Sequence, residues 1–305
     1  MPDYKRKIIF HIDVDSPAKL LDFYQLNNVK FDQADLDFFY ETSFNRIFNF
    51  LDKLGIKASF FIVGEELNGS ERIQNMIKKA HLSGHSIENH SYTHPFGLAN
   101  LNDEEIAEEI TRCNDIIFKI TGRRPEGFRA PGYSIDTRII NILRKCGFKY
   151  DSSGFWSVMN PILAYGHKYL FKNGLKNEGF GYVSAKLPHE LYTPDEKDWQ
   201  IKSDQNGSFI EIPLPRTKFF GLPFYNNINL WAPAPYSWFI ANTIRRHDLV
   251  YIFHAIEFVD LSDRIPNELS SHPNIKIPVK DKMLRSEKIV RMLLKRYSLK
   301  LDFLH

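Results

Sequence analysis

The stretch KIIFHIDVD at residues 7–15 decides the fold, because it is a short apolar run that ends in two carboxylates, Asp13 and Asp15. An apolar run of this length predicts a buried β-strand. His11 and Asp13 interrupt it too early for the apolar core of a signal peptide, which needs about 7–15 residues, or for a membrane span of about 18. We therefore expect a cytoplasmic protein whose chain opens on a core strand.

Strand-like and helical segments alternate behind this strand as far as residue 150. Further strands are predicted at residues 58–63, 85–89, 127–129 and 148–150, and helices at residues 36–54, 70–84, 102–120 and 136–145. Alternation with short connections is typical of an α/β fold built on a parallel sheet.

The segment from residue 156 to residue 235 breaks this pattern, since it is rich in glycine, proline, asparagine and aromatic residues. One short strand is predicted within it, near residues 209–212. The α/β pattern then returns with a helix near 238–246, a strand at 249–253 and a closing helix at 287–297. We expect a single domain over residues 1–305 with a long irregular insertion at about 156–235.

The composition is that of a soluble globular protein. Of the 305 residues, 43% are apolar and 25% are charged, which excludes disordered, collagen-like and coiled-coil chains. The net charge is only +3, and no basic stripe interleaves with aromatic residues, so we expect no nucleic-acid partner. Two cysteines exclude a disulfide scaffold. The sequence makes no prediction of the oligomeric state.

Polar side chains suited to catalysis stand at the ends of four predicted strands. They are Asp13 and Asp15 at the first, His90 and His94 after the third, Arg129 at the fourth, and His254 at the last. Because functional groups in parallel α/β folds gather at the carboxyl ends of strands, we expect these six to share one site. No single motif is decisive, since His81 and His85 repeat the spacing of His90 and His94.

One carboxylate and two imidazoles form a mixed oxygen and nitrogen ligand set, which suits zinc or a similar divalent ion with one position open to water. Such an ion lowers the pKa of bound water from about 15.7 to about 7. The second carboxylate can accept a proton, and His254 can donate one to a leaving group. Asp13 and Asp15 point to the same side of a strand, so either could reach the ion. The set predicts hydrolysis of an amide or ester.

Four segments resemble, in order, successive motifs of the polysaccharide deacetylase family (NodB homology, carbohydrate esterase family four). They are DVDS at residues 13–16, GIKASFFIVG at 55–64, GHSIENHSYTH at 84–94 and FRAPGY at 128–133, and a final strand at 249–254 also matches. The resemblance covers about residues 7–155. It implies an incomplete (β/α)7-type barrel, the NodB or glycoside hydrolase-deacetylase barrel, and metal-dependent removal of an acyl group from an amino sugar.

The resemblance also implies a role for each site residue. The implied roles are general base for Asp13, metal ligands for Asp15, His90 and His94, orientation of Asp13 for Arg129, and general acid for His254. Zinc is the expected ion, with cobalt, manganese or nickel as alternatives. The remaining candidates for oxyanion stabilisation or substrate binding are Gly132, Tyr133, Asp151 and Glu257.

Two features depart from the usual family pattern. Val14 separates two aspartates that are usually adjacent, and the last strand continues into His254-Ala255. Both features resemble a subset of the family that includes bacterial deformylases and deacetylases of lipid-linked sugars. The separation leaves open whether Asp13 or Asp15 is the base.

The expected substrate is an acetylated or formylated amino sugar carried by a nucleotide or a lipid, because a cytoplasmic enzyme does not meet mature cell wall. Aromatic residues crowd positions 219–238, and the closing helix is basic and amphipathic, which would suit peripheral contact with the inner membrane face. The favoured interpretation is that these aromatic residues cap the open barrel and the helix packs outside it. Candidate stacking faces for a sugar are Trp156, Trp199 and Trp231.

Two other functions compete with this one. The first is hydrolysis of a non-sugar amide such as a cyclic ureide, and the second is an inactive, carbohydrate-binding barrel. The inactive barrel predicts loss of part of the site, yet all six side chains are present. The histidines interpreted as surface or structural residues are His167, His189, His247 and His272.

Overall fold

The apolar run near the start of the chain forms strand β1 (Lys7–Val14), as predicted, and seven further strands follow it among the residues that the structure describes. The computed structural model describes residues 6–157, 185–205, 207–217, 221–244 and 248–302. The other strands are β2 (Ser59–Ile62), β3 (Ser86–Asn89), β4 (Gly127–Phe128), β5 (Tyr150–Asp151), β6 (Ile210–Glu211), β7 (Leu249–His254) and β8 (Ser298–Leu299).

The strands form one parallel sheet in the order β6-β5-β4-β3-β2-β1-β7, and β8 pairs with the start of β1. The two ends of this order are β6 and β7, and no pairing joins them within the described part of the chain. The sheet is therefore an incomplete barrel surrounded by helices, which confirms the predicted α/β fold class.

Helices connect the strands and cover the outer face of the sheet. Those before β6 are α1 (Pro17–Phe23), α2 (Gln33–Leu54), α3 (Gly64–Asn68), α4 (Glu71–Leu82), α5 (Asp103–Thr121) and α6 (Thr137–Lys145). Those after β6 are α7 (Asn226–Trp231), α8 (Ala234–Thr243), α9 (Pro273–Lys276) and α10 (Val279–Leu294). Single 3₁₀ turns occur at Leu98–Asn100, Pro131–Tyr133, Ala255–Phe258 and Asn267–Leu269.

The helix boundaries follow from capping residues. Helix α5 begins at a capping box in which the Asn102 side chain accepts from the Glu105 N–H and the Glu105 carboxylate accepts from the Asn102 N–H. It ends at Gly122, whose left-handed φ of 74° suits glycine. Asp136 caps α6 through the Ile139 N–H at 2.9 Å. These signals are local, which is why the helices lie close to their predicted bounds.

Alternation along the strands divides the core in two. On β1, Ile8, Phe10 and Ile12 pack outward with the helices. Ile9 faces the barrel interior, where it clusters with Phe61 of β2 and Ile252 of β7. The interior positions nearest the carboxyl ends of the strands are polar. The fold therefore places an apolar plug at the base of the barrel and polar side chains at its mouth.

The segment at residues 156–235 contains a barrel strand, because β6 pairs in parallel with β5 through the register Tyr150↔Ile210 and Asp151↔Glu211. The predicted insertion therefore includes one structural strand of the sheet. The same segment also contains α7, which was not predicted. Residues 158–184 of the expected insertion, with His167, lie outside the described residues.

The basic closing helix packs on the barrel, as the favoured interpretation expected. It begins earlier than predicted, at Val279, and buries Ile289, Val290 and Leu293. Of the aromatic segment, Phe224 and Tyr225 are buried, whereas Trp238 is 61% exposed. The other members Phe219 and Phe220 lie outside the described residues, as does His247. Within the described ranges, every helix is too short or too polar to cross a membrane.

A glycine in β4 makes room for a buried tyrosine of the neighbouring strand. A Cβ at Gly127 would lie 2.1 Å from Tyr150 Cζ. We therefore expect Gly127→Ala to lower the free energy of unfolding by about 3 kcal/mol, the upper end of overpacking costs. Urea denaturation followed by circular dichroism measures this.

The matched control is Gly122→Ala, which has a left-handed φ but no atom within 4 Å of an added Cβ. It should cost only about 1 kcal/mol of backbone strain. Equal losses in the two variants would show that Tyr150 does not fill the space over β4.

Candidate functional site

The carboxyl ends of the strands surround one cavity of about 160 Å³. Seven of the ten residues predicted from the sequence line it, namely Asp13, Asp15, His90, His94, Gly132, Tyr133 and His254. Arg129, Asp151 and Glu257 do not line it. The structure thus brings together residues from four separate strand ends, as the sequence predicted.

The two histidines after β3 lie on a strained turn. Ser91 and His94 have left-handed φ values of 64° and 63°, which are uncommon for residues other than glycine. The Asn89 side chain accepts from the Ser91 N–H at 2.7 Å, and Ser91 Oγ accepts from the His94 N–H at 3.1 Å. Glu109 of α5 accepts from the Tyr92 N–H at 2.9 Å. These bonds hold the imidazole rings of His90 and His94 4.8 Å apart.

Asp13 is held by a fully buried arginine. Arg129 Nε lies 3.1 Å from Asp13 Oδ1, and both side chains are excluded from solvent. Arg129 Nη2 donates to His11 Nδ1 at 2.6 Å and to Ser152 Oγ at 3.1 Å. The guanidinium carbon also lies 4.7 Å from the ring centroid of Phe61. The arginine therefore has partners on four sides. Its Nε holds Asp13 through an ion pair rather than a hydrogen bond, and its Nη1 has no hydrogen-bond partner among the described residues.

The histidine at the end of β7 lies between two carboxylates. The strand register pairs Asp13 with His254, and His254 Nε2 lies 3.6 Å from Asp13 Oδ2. On the other side of the ring, Nδ1 lies 3.3 Å from Glu257 Oε1. Burial favours the neutral ring, but the hydrogen bond to Glu257 and the charge of Asp13 outweigh it and raise the pKa of His254 to about 9. The ring is therefore protonated at neutral pH.

Glu257 is buried behind His254 rather than in the cavity. Its other oxygen, Oε2, accepts from Asn226 Nδ2 at 2.6 Å. Tyr251 OH donates to Asn226 Oδ1 at 3.2 Å and accepts from Asn229 Nδ2 at 3.0 Å. Glu257 therefore lies behind His254 and is absent from the cavity lining, where it was predicted as a candidate.

Asp151 also lies away from the cavity. The register Phe128↔Asp151 places it on the outward side of the sheet, with Phe128. There it accepts from the Ser153 N–H at 2.9 Å and from Ser153 Oγ at 2.7 Å. Ser153 Oγ in turn accepts from the Ala130 N–H at 2.8 Å. Asp151 therefore braces the Arg129–Tyr133 turn from behind and does not contribute a side chain to the substrate cavity.

That turn presents Gly132 and Tyr133 to the cavity with left-handed φ values of 56° and 58°. The Tyr133 N–H donates to the Ala130 carbonyl at 3.0 Å. Burial, followed by the charge of Asp13, raises the pKa of the Tyr133 hydroxyl well above its ordinary value, so it stays a hydrogen-bond donor. The predicted oxyanion role near Gly132 stays a prediction.

The side chains of Asp15, His90 and His94 suit a cation by their chemistry. Among the described residues, no three His, Cys, Asp or Glu side chains stand in ready-made metal-ligand geometry. Asp15 Oδ1 and His94 Nδ1 are nevertheless buried without a hydrogen-bond partner. His90 Nδ1 contacts the Arg129 carbonyl at 2.8 Å, which leaves Nε2 as the ligating atom in the manner of metal-binding histidines.

The protonation states of these groups agree with such a role. Burial lowers the pKa of His90 to about 4, against the opposing charge of Asp13, and lowers that of His94 well below its ordinary value. Both rings are therefore neutral, as metal ligands must be. Burial also raises the pKa of Asp15 to about 7, with Asp13 and Glu66 adding to the effect against the charge of His254. A nearby positive charge would reverse this shift.

Several residues around the cavity were not predicted. Phe23 and Tyr24 come from α1 and its C-terminal cap, and Phe96 follows the histidine turn. His272, interpreted from the sequence as an ordinary surface or structural residue, lines the cavity with Asn274. Of the three candidate tryptophans only Trp231 lines it. The buried His11, which contacts Arg129, was also not predicted. Its sequence position indicates a polar role inside the barrel, since it interrupts an apolar strand on the same side as Asp13.

The fold is an incomplete parallel barrel, and its mouth places Asp13 beside His254 and in the same cavity as Asp15, His90 and His94. Residues 28–150 match the family model described as polysaccharide deacetylase. Over these residues the chain is therefore similar to the polysaccharide deacetylase domain of the NodB type, carbohydrate esterase family 4.

Relatives of known name agree with this assignment. A peptidoglycan-N-acetylglucosamine deacetylase of Bacillus cereus is 37% identical over 84 residues, 27% of this chain and 29% of that protein. A peptidoglycan-N-acetylmuramic acid deacetylase of Bacillus subtilis is 26% identical over 121 residues, 39% of this chain and 43% of that protein. The chain thus spans less than half the length of either relative.

A solved structure supports the fold over almost the whole chain. A Mycobacterium smegmatis protein described as a polysaccharide deacetylase superposes with a TM-score of 0.60 and 17% identity. The superposition covers 99% of this chain and 88% of that one. The similarity therefore extends well beyond residues 28–150 and includes β6 and β7.

The buried ion pair of Arg129 and Asp13 yields a stability prediction. Arg129→Met keeps much of the side-chain volume but removes the guanidinium from the buried Asp13 carboxylate, which then has only the more distant His254 ring as a cationic neighbour. Breaking a buried pair in this way costs about 3–5 kcal/mol, so we expect a loss of this size in urea denaturation.

The control is Arg124→Met, which removes an exposed pair with Asp115 at 3.5 Å. It should cost less than about 1 kcal/mol. If Arg129→Met were no more harmful than this control, the buried pair would contribute nothing to the stability of the barrel mouth.

Proposed function

We propose that this protein is a metal-dependent hydrolase that removes the N-acetyl group from an amino sugar in a glycan. The observation that carries the proposal is the position of Asp13, which lies between Arg129 and His254 in the same cavity as Asp15, His90 and His94. The names of the relatives support the acetyl group and the amino sugar.

In this proposal Asp15, His90 and His94 hold a divalent cation, with zinc favoured by two imidazoles and one carboxylate. When bound, the cation acts as a Lewis acid that activates water and polarises the acyl carbonyl. The resemblance assigns the base role to Asp13, and the geometry supports it, because Arg129 already occupies Asp13 Oδ1.

The protein's own residues supply the proton transfers. Asp13 accepts a proton from the attacking water while Arg129 keeps the carboxylate in place. His254 is protonated at neutral pH and donates its proton to the amide nitrogen as the carbon–nitrogen bond breaks. Glu257 keeps Nδ1 of His254 engaged, so that Nε2 delivers the proton. The products are acetate and a free amine.

The described lining of the cavity favours a neutral glycan over a nucleotide sugar. It includes the aromatic residues Phe96, Tyr225 and Trp231, on which a sugar ring can stack, but no lysine or arginine. A nucleotide-linked substrate would bring a diphosphate, which proteins bind with such cations or with helix N-termini. Of the two expected substrates, a nucleotide-linked and a lipid-linked amino sugar, we therefore propose the glycan on a lipid. The Asp13-Val14-Asp15 pattern, which resembles enzymes of lipid-linked sugars, supports this choice. A cytoplasmic location stays a prediction.

The proposal predicts release of acetate from N-acetylated sugars. We expect the purified protein to release acetate from tetra-N-acetylchitotetraose and from undecaprenyl-linked N-acetylglucosamine, and to act at least about tenfold more slowly on UDP-N-acetylglucosamine. Coupled acetate and formate assays on this panel, with N-formyl analogues, measure both the acyl group and the carrier. Release of formate alone, or hydrolysis of a cyclic ureide alone, would overturn the proposal.

The ligand and acid roles predict different effects on bound metal. His90→Ala should reduce the zinc content of the protein severalfold, whereas His254→Ala should keep its zinc and lose turnover at least about a hundredfold. Mass spectrometry of metals after dialysis measures the content, with His81→Ala on helix α4 as the matched control. A full zinc complement in His90→Ala would contradict the ligand role, and loss of zinc in His254→Ala would make His254 a ligand.

A further inference from the structure

Two asparagine side chains in the cavity hold polar atoms that have no partner in the protein. Asn274 of α9 is 1% exposed, and its Nδ2 is buried without a hydrogen-bond acceptor. Asn227 of α7 lines the same cavity, and its Oδ1 is buried without a donor. Neither residue belongs to a strand end or to the acid–base groups.

The orientation of the Asn274 amide is fixed by a neighbour. Trp231 Nε1 lies 3.0 Å from Asn274 Oδ1. Because an indole N–H can only donate, the atom that faces it must be the amide oxygen. The NH₂ group therefore cannot be exchanged with the oxygen, and the donor atom lacking a protein partner is Nδ2.

A buried donor or acceptor without a partner costs about 1–3 kcal/mol. A fold that keeps both a donor and an acceptor in one cavity gains from a ligand whose groups can satisfy each of them. Sugar hydroxyls are such groups, because a hydroxyl oxygen accepts a hydrogen bond and its hydrogen donates one. A phosphate or carboxylate offers only acceptors near neutral pH, and it would meet the Asn227 carbonyl unfavourably.

The surroundings of these amides fit a sugar ring. Tyr24 and Trp231 supply aromatic faces, and His272 lies beside them. His272 Nδ1 accepts from the Asn274 N–H at 3.3 Å, which places this ring beside the amide. The two asparagines thus bring a donor and an acceptor together with the aromatic faces of Tyr24 and Trp231.

We propose that Asn227 and Asn274 form a hydroxyl-binding subsite that selects a neutral sugar ring of the substrate, separately from the groups that act on the acyl amide. This inference rests on the proposed function and deepens it by naming residues that recognise the glycan. A substrate that has an acyl group but no sugar does not use the subsite.

The experiment compares two substrates in variants of both residues. Asn274→Leu and Asn227→Leu keep the approximate side-chain size but remove the amide, and Asn267→Leu, at an exposed position outside the cavity, is the control. The substrates are tetra-N-acetylchitotetraose and p-nitrophenyl acetate. We expect kcat/KM for the oligosaccharide, divided by kcat/KM for p-nitrophenyl acetate, to fall about tenfold in each site variant. The fall should come mainly from a higher KM for the oligosaccharide, and the control should keep the unmodified ratio.

A purely structural role would not change this ratio, because both substrates would lose rate together. Equal losses on the two substrates, or an unchanged ratio, would therefore overturn the subsite. Calorimetric titration of tetra-N-acetylchitotetraose in an Asp13→Asn background tests binding without turnover, and we expect Kd to rise about tenfold when either amide is removed.

The activity assay and the binding titration together distinguish failure of the subsite from failure of the proposed function. If the unmodified protein releases no acetate from any sugar but binds the oligosaccharide in an Asn274-dependent way, the proposed function fails and the subsite stands. If it releases acetate and Asn274→Leu keeps the full ratio and affinity, the function stands and the subsite fails.

Discussion

The mouth of this barrel depends on one buried cation, the Arg129 guanidinium. A charge excluded from solvent costs least when it is paired and hydrogen-bonded. Arg129 forms an ion pair with Asp13 and donates hydrogen bonds from Nη2 to His11 and Ser152. Those partners come from β1 and from the residue after β5, so the arginine joins strands on both sides of the sheet centre. A single side chain therefore fixes both the carboxylate and the relative position of the strands that carry it.

The contact between Asp13 and His254, which we propose as base and acid, follows from strand pairing rather than from a loop. Because β1 and β7 are parallel neighbours in the register Asp13↔His254, their side chains stand beside each other at the same height in the barrel. The gap between β6 and β7 lies next to this pair in the strand order. Groups on rigid strands keep their separation better than groups on loops, which suits proton transfer over hydrogen-bond distance.

The sequence predicts the elements whose signals are local and misses those whose position depends on tertiary contacts. Asn102, Asp136 and Gly122 define helix ends by capping, and the apolar run at residues 7–14 defines β1. His272 and Asn274 come to the cavity only through the packing of α9 against α7, for which no sequence pattern exists. In the sequence, His272 and Asn274 are typical of a turn before a short helix, and only the tertiary structure shows that they line the cavity.

Asp151 shows how strand parity could have refined the sequence prediction. It follows Tyr150, which points into the barrel, so alternation alone turns Asp151 outward and Ser152 inward. The register with β4 confirms this, since Asp151 pairs with Phe128 while Ser152 reaches Arg129. The same parity placed Asp13 and Asp15 on one side correctly. Alternation along β5 is therefore the local signal that turns Asp151 away from the cavity.

The buried Asp15 carboxyl at the mouth gives a physical reason for the cation site that we propose. Burial raises the pKa of Asp15 from 3.8 to about 7, so the folded state resists ionisation of this carboxyl more than the unfolded chain does. Its contribution to stability is therefore greatest below pH 3.8 and is lost as the pH rises toward 7. A bound cation would remove this loss by pairing with the carboxylate, and binding energy would then appear as folding stability at neutral pH. The apolar plug below, built from Ile9, Phe61 and Ile252, supplies the stability that lets the mouth keep such costly groups.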